Sequence, residues 1–159
     1  MALRIWRFIT LILAALLVGT SFAHTLELPA KMQYSASLYI TLQKTLYMAW
    51  GPPSIGGFLE PAAILSIAVL AYLTRKRRPA WWLTLAALVF LLLAFPVIFF
   101  LFVEPANAVF RLATPAAPPD DWMRWRAQWE YGHAARFVLH LLALSALGGA
   151  MLVETRIED

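Results

Sequence analysis

Long apolar blocks alternate with shorter polar connections along this chain. Four blocks come close to the roughly 20 residues that a helix needs to cross a hydrocarbon core, and they predict helices over about 5–28, 55–74, 81–103 and 121–153. The third block contains Pro96, which predicts a kink. The pattern therefore predicts an all-α integral membrane four-helix bundle, with residues 1–159 forming a single transmembrane domain.

A weaker periodicity lies between the first two blocks. Apolar residues recur at helical spacing in the series Met32, Ala36, Tyr39, Leu42, Leu46 and Trp50. This spacing predicts an amphipathic helix over about 30–50 that lies in the outer membrane interface. The segment Gly51-Pro52-Pro53 is expected to end it, because proline and glycine do not continue a helix.

Basic residues predict the orientation. The short connection 74–80 holds the run Arg75-Lys76-Arg77-Arg78, and an excess of Lys and Arg in a short loop marks the cytoplasmic side. We therefore expect a multi-pass protein of the bacterial inner membrane with both termini in the cytoplasm. Ser21-Phe22-Ala23 also fits a signal-peptidase site, so cleavage of the first helix stays an open alternative.

Composition narrows the chemistry. Hydrophobic residues make up 62% of the chain and charged residues 14%, against roughly 45–50% and 25% in soluble domains, so the expected partner is the lipid bilayer. The net charge of +4 comes with no basic stripe beside a soluble module, so we expect no nucleic-acid partner. The chain has no cysteine, which excludes disulfides, thiolate nucleophiles and Cys-ligated clusters.

Ionisable residues at or inside the apolar blocks are the candidates for function, because such residues are expensive in a membrane unless they are paired or used. His24 lies at the outer end of the first block and Glu60 near the outer end of the second. Glu130, His133 and Arg136 follow one another on the fourth. All are predicted to lie toward the outer leaflet. We expect a polar pocket there, with His24, Glu60 and His133 as its catalytic residues.

Two of the three hypotheses for this pocket involve a cofactor. The spacing Glu130-x-x-His133 is one by which a bundle helix offers two ligands to the same ion. A metal site would then consist of His24, Glu60, Glu130 and His133. Alternatively, a haem would be held by His24 with His133, or by His133 or His140 with another group. Arg136 would then pair with a propionate.

The third hypothesis needs no cofactor: Glu60 pairs with Arg136 or a histidine, and the pocket binds a small lipophilic molecule and moves protons. A plain structural interpretation also exists for each residue. Glu60 precedes Pro61 and would cap a helix, and Arg126 with Glu130 would form an ordinary surface pair.

The polar residues also resemble those of a known family. They form the sets His24-Thr25-Leu26-Glu27, Gln43-Lys44-Thr45-Leu46-Tyr47, Glu60, Glu104-Pro105-Ala106-Asn107, and Trp122, Trp125, Arg126, Trp129, Glu130, Gly132, His133 and Arg136. Together they resemble the anthrone-oxygenase-like family of small four-helix bacterial membrane proteins. The resemblance implies a helical bundle and an oxygenase-type activity on an aromatic or lipophilic substrate, and it argues against cleavage after Ala23.

The leading functional hypothesis is thus a membrane oxygenase or oxidoreductase. Arg126 and Arg136 would orient an anionic or phenolic substrate, and Tyr47 and Asn107 would supply hydrogen bonds to it. The alternative is a non-catalytic accessory subunit or lipid-binding scaffold, present as a homo-oligomer or in a larger membrane complex.

Overall fold

The computed structural model describes residues 1–51 and 53–155. Its helices are α1 (Ala2–Lys31), α2 (three consecutive stretches, Ala36–Leu42, Gln43–Tyr47 and Met48–Trp50), α3 (Ile55–Thr74), α4 (Arg78–Leu112) and α5 (Trp122–Thr155). In length and composition α1, α3, α4 and α5 can each cross a membrane. The predicted all-α membrane fold is confirmed. Pro52, part of the predicted helix stop, and the polar tail 156–159 lie outside the described residues.

The predicted amphipathic helix over 30–50 begins later than expected. Lys31 ends α1, which runs unbroken through Ser21-Phe22-Ala23. Ser35 then takes the N-cap position of α2 and accepts a hydrogen bond from the backbone N–H of Leu38 at 3.4 Å. A serine hydroxyl at an N-cap satisfies a backbone donor that the first helical turn leaves free, and this local bond sets the boundary at Ala36.

The third spanning helix is longer than predicted and changes geometry along its length. The sequence predicts a kink at Pro96, and the structure has a π-helical stretch there, Leu93–Val103. Proline lacks the backbone N–H and crowds the preceding turn, and a wider turn accommodates it. The helix then continues to Leu112 instead of ending at residue 103, with Pro105 in the first turn of its last segment.

All four spanning helices contribute to one apolar core. It includes Leu17 of α1, Ile67 of α3, Leu91 of α4 and Leu147 of α5, all of them buried. A second apolar cluster lies beside α2 and joins Tyr39 and Ile40 to Val103, Ala106, Phe110 and Trp129. The buried ionisable residues described below lie where α1, α3 and α5 meet near this second cluster.

The two termini of the described chain lie at the same end of the bundle. Arg7 of α1 forms an ion pair with Glu154 of α5, and Arg77 Nη1 lies 3.5 Å from the same carboxylate. We call this end, with the turn Arg75–Arg77 between α3 and α4, the hairpin end. The opposite end, which carries α2, is called the α2 end.

Helix α5 approaches α4 closely at Gly132, and this contact can be tested. A Cβ at Gly132 would lie 2.9 Å from Cγ2 of Val103, a fully buried side chain. We expect Gly132→Ala to lower the free energy of unfolding by about 1–3 kcal/mol, as overpacking does in dense cores. Thermal unfolding in detergent, followed by circular dichroism, measures the change.

Gly148→Ala is the matched control on the same helix. A Cβ there meets no atom within 4 Å, so alanine is expected to be neutral or to stabilise the helix by up to about 1 kcal/mol. Equal melting temperatures for the two variants would contradict the close approach of α4 and α5.

Candidate functional site

A chain of buried polar contacts begins at two stacked histidines. The rings of His24 (α1) and His133 (α5) lie 4.3 Å apart between centroids, with their planes 29° from parallel. Nδ1 of His133 lies 3.3 Å from Nη1 of Arg136, one turn further along α5. A guanidinium only donates, so His133 Nδ1 is the acceptor, and a neutral His133 carries its proton on Nε2.

Glu60 of α3 connects this pair to a third histidine. One carboxylate oxygen of Glu60 forms an ion pair with Arg136, and the other lies 2.8 Å from Nε2 of His140. His140 Nδ1 lies 3.1 Å from the hydroxyl of Ser21 on α1. Both carboxylate oxygens are thus engaged inside the bundle. We call these six residues, from His24 to Ser21, the Glu60 network, and it joins α1, α3 and α5.

His24 lies in an aromatic enclosure. The ring centroids of Tyr47, Trp50 and Trp129 lie 5.0, 5.2 and 5.1 Å from its own. Its Nδ1 atom is buried and has no hydrogen-bond partner among the described residues. Buried polar atoms without a partner are uncommon in folded proteins because they lose hydration without compensation. The unpaired nitrogen is therefore a candidate contact for a ligand.

A second polar cluster surrounds a buried lysine. Lys31 is only 1% exposed, and its Nζ lies 2.9 Å from Glu130 and 3.4 Å from Glu27. The same ammonium lies over the rings of Tyr47 and Trp129, at 4.7 and 4.8 Å from their centroids. These two rings also touch His24, so the lysine lies against the wall of the histidine site.

Tyrosine hydroxyls attach α2 to this cluster. Tyr39 donates to Glu130 at 3.0 Å and accepts from Gln43 at 3.0 Å, while Tyr47 donates to Glu27 at 2.5 Å. Burial raises the pKa of Tyr39, and the Glu130 charge raises it further. Burial, followed by the hydrogen bond to Glu27, raises the pKa of Tyr47. Both hydroxyls therefore stay protonated donors. We call the cluster of Lys31, Glu27, Glu130, Tyr39, Gln43 and Tyr47 the Lys31 network.

The structure brings together four of the sequence-predicted site residues: His24, Glu60, His133 and Arg136. Arg126 instead donates to the backbone carbonyls of Lys31 and Tyr34, at 3.3 and 3.0 Å. Asn107 accepts from the Trp129 indole at 2.8 Å and donates to Glu104 at 3.1 Å. Tyr47 does border the site, but with its ring. Its hydroxyl is held by Glu27.

Comparison with known proteins gives the family of the chain. The family model for anthrone oxygenase matches residues 54–146. The chain belongs to the anthrone oxygenase family. The family match includes Glu60, Asn107, Trp129, Glu130, His133, Arg136 and His140, whereas His24, Lys31 and helix α2 precede it. No match was found among curated proteins or among solved structures.

The residues predicted to bind a metal ion do not converge in this member of the anthrone oxygenase family. Glu60 is held by Arg136 and His140, and Glu130 by Lys31 and Tyr39. In the part of the chain that the structure describes, no three His, Asp or Glu side chains are grouped to hold a metal. The set His24, Glu60, Glu130 and His133 therefore does not fit a metal ion.

A haem held between His24 and His133 does not fit the structure either. A porphyrin has to lie between its two axial ligands, and imidazole rings stacked at 4.3 Å leave no room for it between His24 and His133. Both ring nitrogens of His140 already have partners in Ser21 and Glu60.

Several site residues were missing from the sequence-based set. They are Ser21, Lys31, Tyr39, Gln43 and Trp129, while His140, which the sequence offers only as a haem ligand, contacts Glu60 and Ser21 instead. A signal existed for Lys31, which follows His24 at i+7 and Glu27 at i+4, and for His140, which follows His133 at i+7. Tyr39 and Gln43 lie at i, i+4 on α2, but the contact that connects them to the site, from Tyr39 to Glu130 on α5, spans 91 residues and leaves no signal in the sequence.

The Lys31 network predicts an unequal response to the loss of two cations. Lys31→Met would leave Glu130 buried without its cation, so we expect a loss of about 3 kcal/mol in the free energy of unfolding. Arg111→Gln removes a cation from the half-exposed Arg111–Glu104 pair and should lower it by no more than about 1 kcal/mol. Unfolding in mixed detergent and dodecyl sulfate, followed by circular dichroism, measures both.

A second substitution separates charge from shape. Adding Glu130→Gln to Lys31→Met removes the stranded carboxylate and should recover part of the lost stability. The ion-pair assignment fails if Lys31→Met is no more harmful than Arg111→Gln.

Proposed function

We propose that the protein is a membrane-embedded oxygenase that acts on a lipophilic aromatic substrate at the His24–His133 pair. The observation that carries this proposal is the buried Nδ1 atom of His24, which has no hydrogen-bond partner among the described residues and lies in an aromatic enclosure. The family match supports the reaction class. The aromatic rings around His24 suit a flat aromatic substrate, which would reach the site from the bilayer.

The simplest reaction of this class balances without an external reductant. An anthrone and one O₂ give an anthraquinone and one water. The substrate's CH₂ group loses a proton, and the resulting carbanion is delocalised onto the ketone oxygen. Carbon then bonds to O₂, the peroxide takes up a proton, and loss of the second C–H proton breaks the O–O bond. The substrate thus supplies the electrons, and the protein has to supply proton transfer and charge stabilisation.

The roles follow from the contacts. His24 accepts the CH₂ proton, since its ring nitrogen has no competing partner among the described residues. His133 supports the His24 ring by stacking. Arg136, whose Nε atom is buried and unpaired among the described residues, stabilises the oxygen on which negative charge develops. Glu60 holds Arg136 in place.

The other predicted substrate ligands contact the walls of the site. Asn107 holds the Trp129 indole, and Glu27 holds the Tyr47 hydroxyl, so these two rings are fixed as walls of the site. Arg126 ties the connection between α1 and α2 through the carbonyls of Lys31 and Tyr34. We propose that Asn107, Tyr47 and Arg126 all position the enclosure.

His24→Gln tests the catalytic proposal. The purified protein in mild detergent is given 1,8-dihydroxyanthrone, and quinone absorbance and O₂ uptake are recorded above the uncatalysed rate. Loss of a general base typically lowers the rate by about 10²–10⁴-fold, and we expect a fall in kcat of that order. Arg124→Gln, an exposed change at the α2 end, should leave kcat unchanged.

Two outcomes would overturn the proposal. One is a folded His24→Gln variant with native kcat. The other is a folded native protein with no turnover of any anthrone offered, which would favour the non-catalytic scaffold.

We also propose that the hairpin end faces the cytoplasm of a cytoplasmic membrane, with both termini on that side. The support is the basic run at residues 75–78, held between two spanning helices. The enclosure around His24 would then lie toward the outer leaflet.

Single cysteines test this orientation, since the native chain has none. Lys76→Cys at the hairpin end and Ala116→Cys in the turn before α5 are both changes at exposed positions. An impermeant maleimide applied to intact cells should label the Ala116→Cys variant and leave the Lys76→Cys variant unlabelled until the cells are opened. The reverse labelling would contradict the orientation.

A further inference from the structure

In the described part of the chain, positive charge accumulates at the hairpin end. Six basic residues lie there: Arg4, Arg7, Arg75, Lys76, Arg77 and Arg78. Among the described residues at this end the one carboxylate is Glu154, and both Arg7 and Arg77 already contact it. At the α2 end the basic residues Lys31, Lys44, Arg111, Arg124 and Arg126 are matched by Glu27, Glu104, Asp120, Asp121 and Glu130. The excess positive charge of the described residues therefore lies at the hairpin end.

The fold fixes these cations at the membrane surface. Helix α3 ends at Thr74 and α4 begins at Arg78, so only three residues connect two membrane-spanning helices. A turn this short cannot move away from the surface, and its charges stay within about one Debye length, roughly 8 Å, of the lipid headgroups. Arg75, Lys76 and Arg78 are all exposed.

The exposed side chains of the hairpin end have hydrogen-bond donors that remain available to an external anion. Arg75 lies 3.9 Å from the centroid of the Tyr72 ring and donates one N–H to the Tyr72 carbonyl, which leaves other donors of its five free to bind. Arg78 lies over the Trp81 ring at 5.7 Å. Within the described residues Lys76 has no hydrogen-bond or ion-pair partner. Aromatic rings at the interface thus hold two of the three cations.

We propose that the hairpin end binds the headgroups of anionic phospholipids, with Arg75, Lys76 and Arg78 contacting their phosphates. The support for this proposal is charge complementarity. The lipids around α3 and α4 lie within reach of the three exposed cations, and an anionic headgroup carries the opposite charge. The site is independent of the reaction at His24.

Lipid selectivity tests the proposal directly. The protein is reconstituted into phosphatidylcholine vesicles that contain a trace of spin-labelled phosphatidylglycerol or of spin-labelled phosphatidylcholine. The motionally restricted fraction in the electron paramagnetic resonance spectrum gives the relative association constant of the two lipids. A contact with one cation favours an anionic lipid about fivefold, and over the whole lipid shell we expect a preference of at least about twofold.

The triple variant Arg75→Gln, Lys76→Gln and Arg78→Gln should bring this preference close to one, while Arg124→Gln at the α2 end leaves it unchanged. Circular dichroism verifies that each variant is folded. A native preference of one, or an undiminished preference in the triple variant, would overturn the proposal.

Salt separates a lipid surface from a site for free phosphate. Sodium chloride and sodium phosphate at equal ionic strength should weaken the preference equally, because both screen the charges. Markedly stronger competition by inorganic phosphate would overturn the lipid assignment in favour of a site for the free anion.

Discussion

The ion pair between Glu60 and Arg136 is the constraint on which the site depends. A charge on a membrane-spanning helix is tolerated when it is paired inside the bundle, and these two side chains are 5% and 11% exposed. Their pairing positions Arg136 beside His133 and orients Glu60 toward His140. Glu60 comes from α3, whereas Arg136 and both of these histidines come from α5, so the packing of the two helices and the geometry of the histidines are coupled.

The Lys31 network repeats the same principle at the α2 end. A buried ammonium is paired with Glu130 and Glu27 and lies over two aromatic rings. Tyr39 and Tyr47 link this cluster to α2. Because the rings of Tyr47 and Trp129 touch both Lys31 and His24, the two networks share a wall. A change in either network is expected to alter the enclosure around His24.

The hydrophobic pattern of the sequence predicts the membrane-spanning helices, but it does not predict most contacts of the buried polar side chains. Hydrophobic block length marked the four spans, because the bilayer thickness sets that length. It could not place the start of α2, which depends on the Ser35 cap, nor the extension of α4 to Leu112. The sequence predicts His24, Glu60, His133 and Arg136 as site residues because ionisable groups in apolar blocks are unusual, and the structure places these four side chains next to one another. The sequence also predicts Arg126 and Asn107 as substrate ligands. In the structure Arg126 contacts two backbone carbonyls, and Asn107 contacts the Trp129 indole and Glu104, and these contacts depend on how the helices pack.

A double-mutant cycle on Glu60 and Arg136 measures directly how far the two buried charges depend on each other. The free energy of unfolding is measured for Glu60→Gln, Arg136→Gln and the double variant in mixed detergent and dodecyl sulfate. We expect each single change to lower the free energy of unfolding by about 3 kcal/mol, and the double variant to lose at least about 1 kcal/mol less than the sum of the two single losses. Strictly additive losses would contradict it, because the two charges would then not depend on each other.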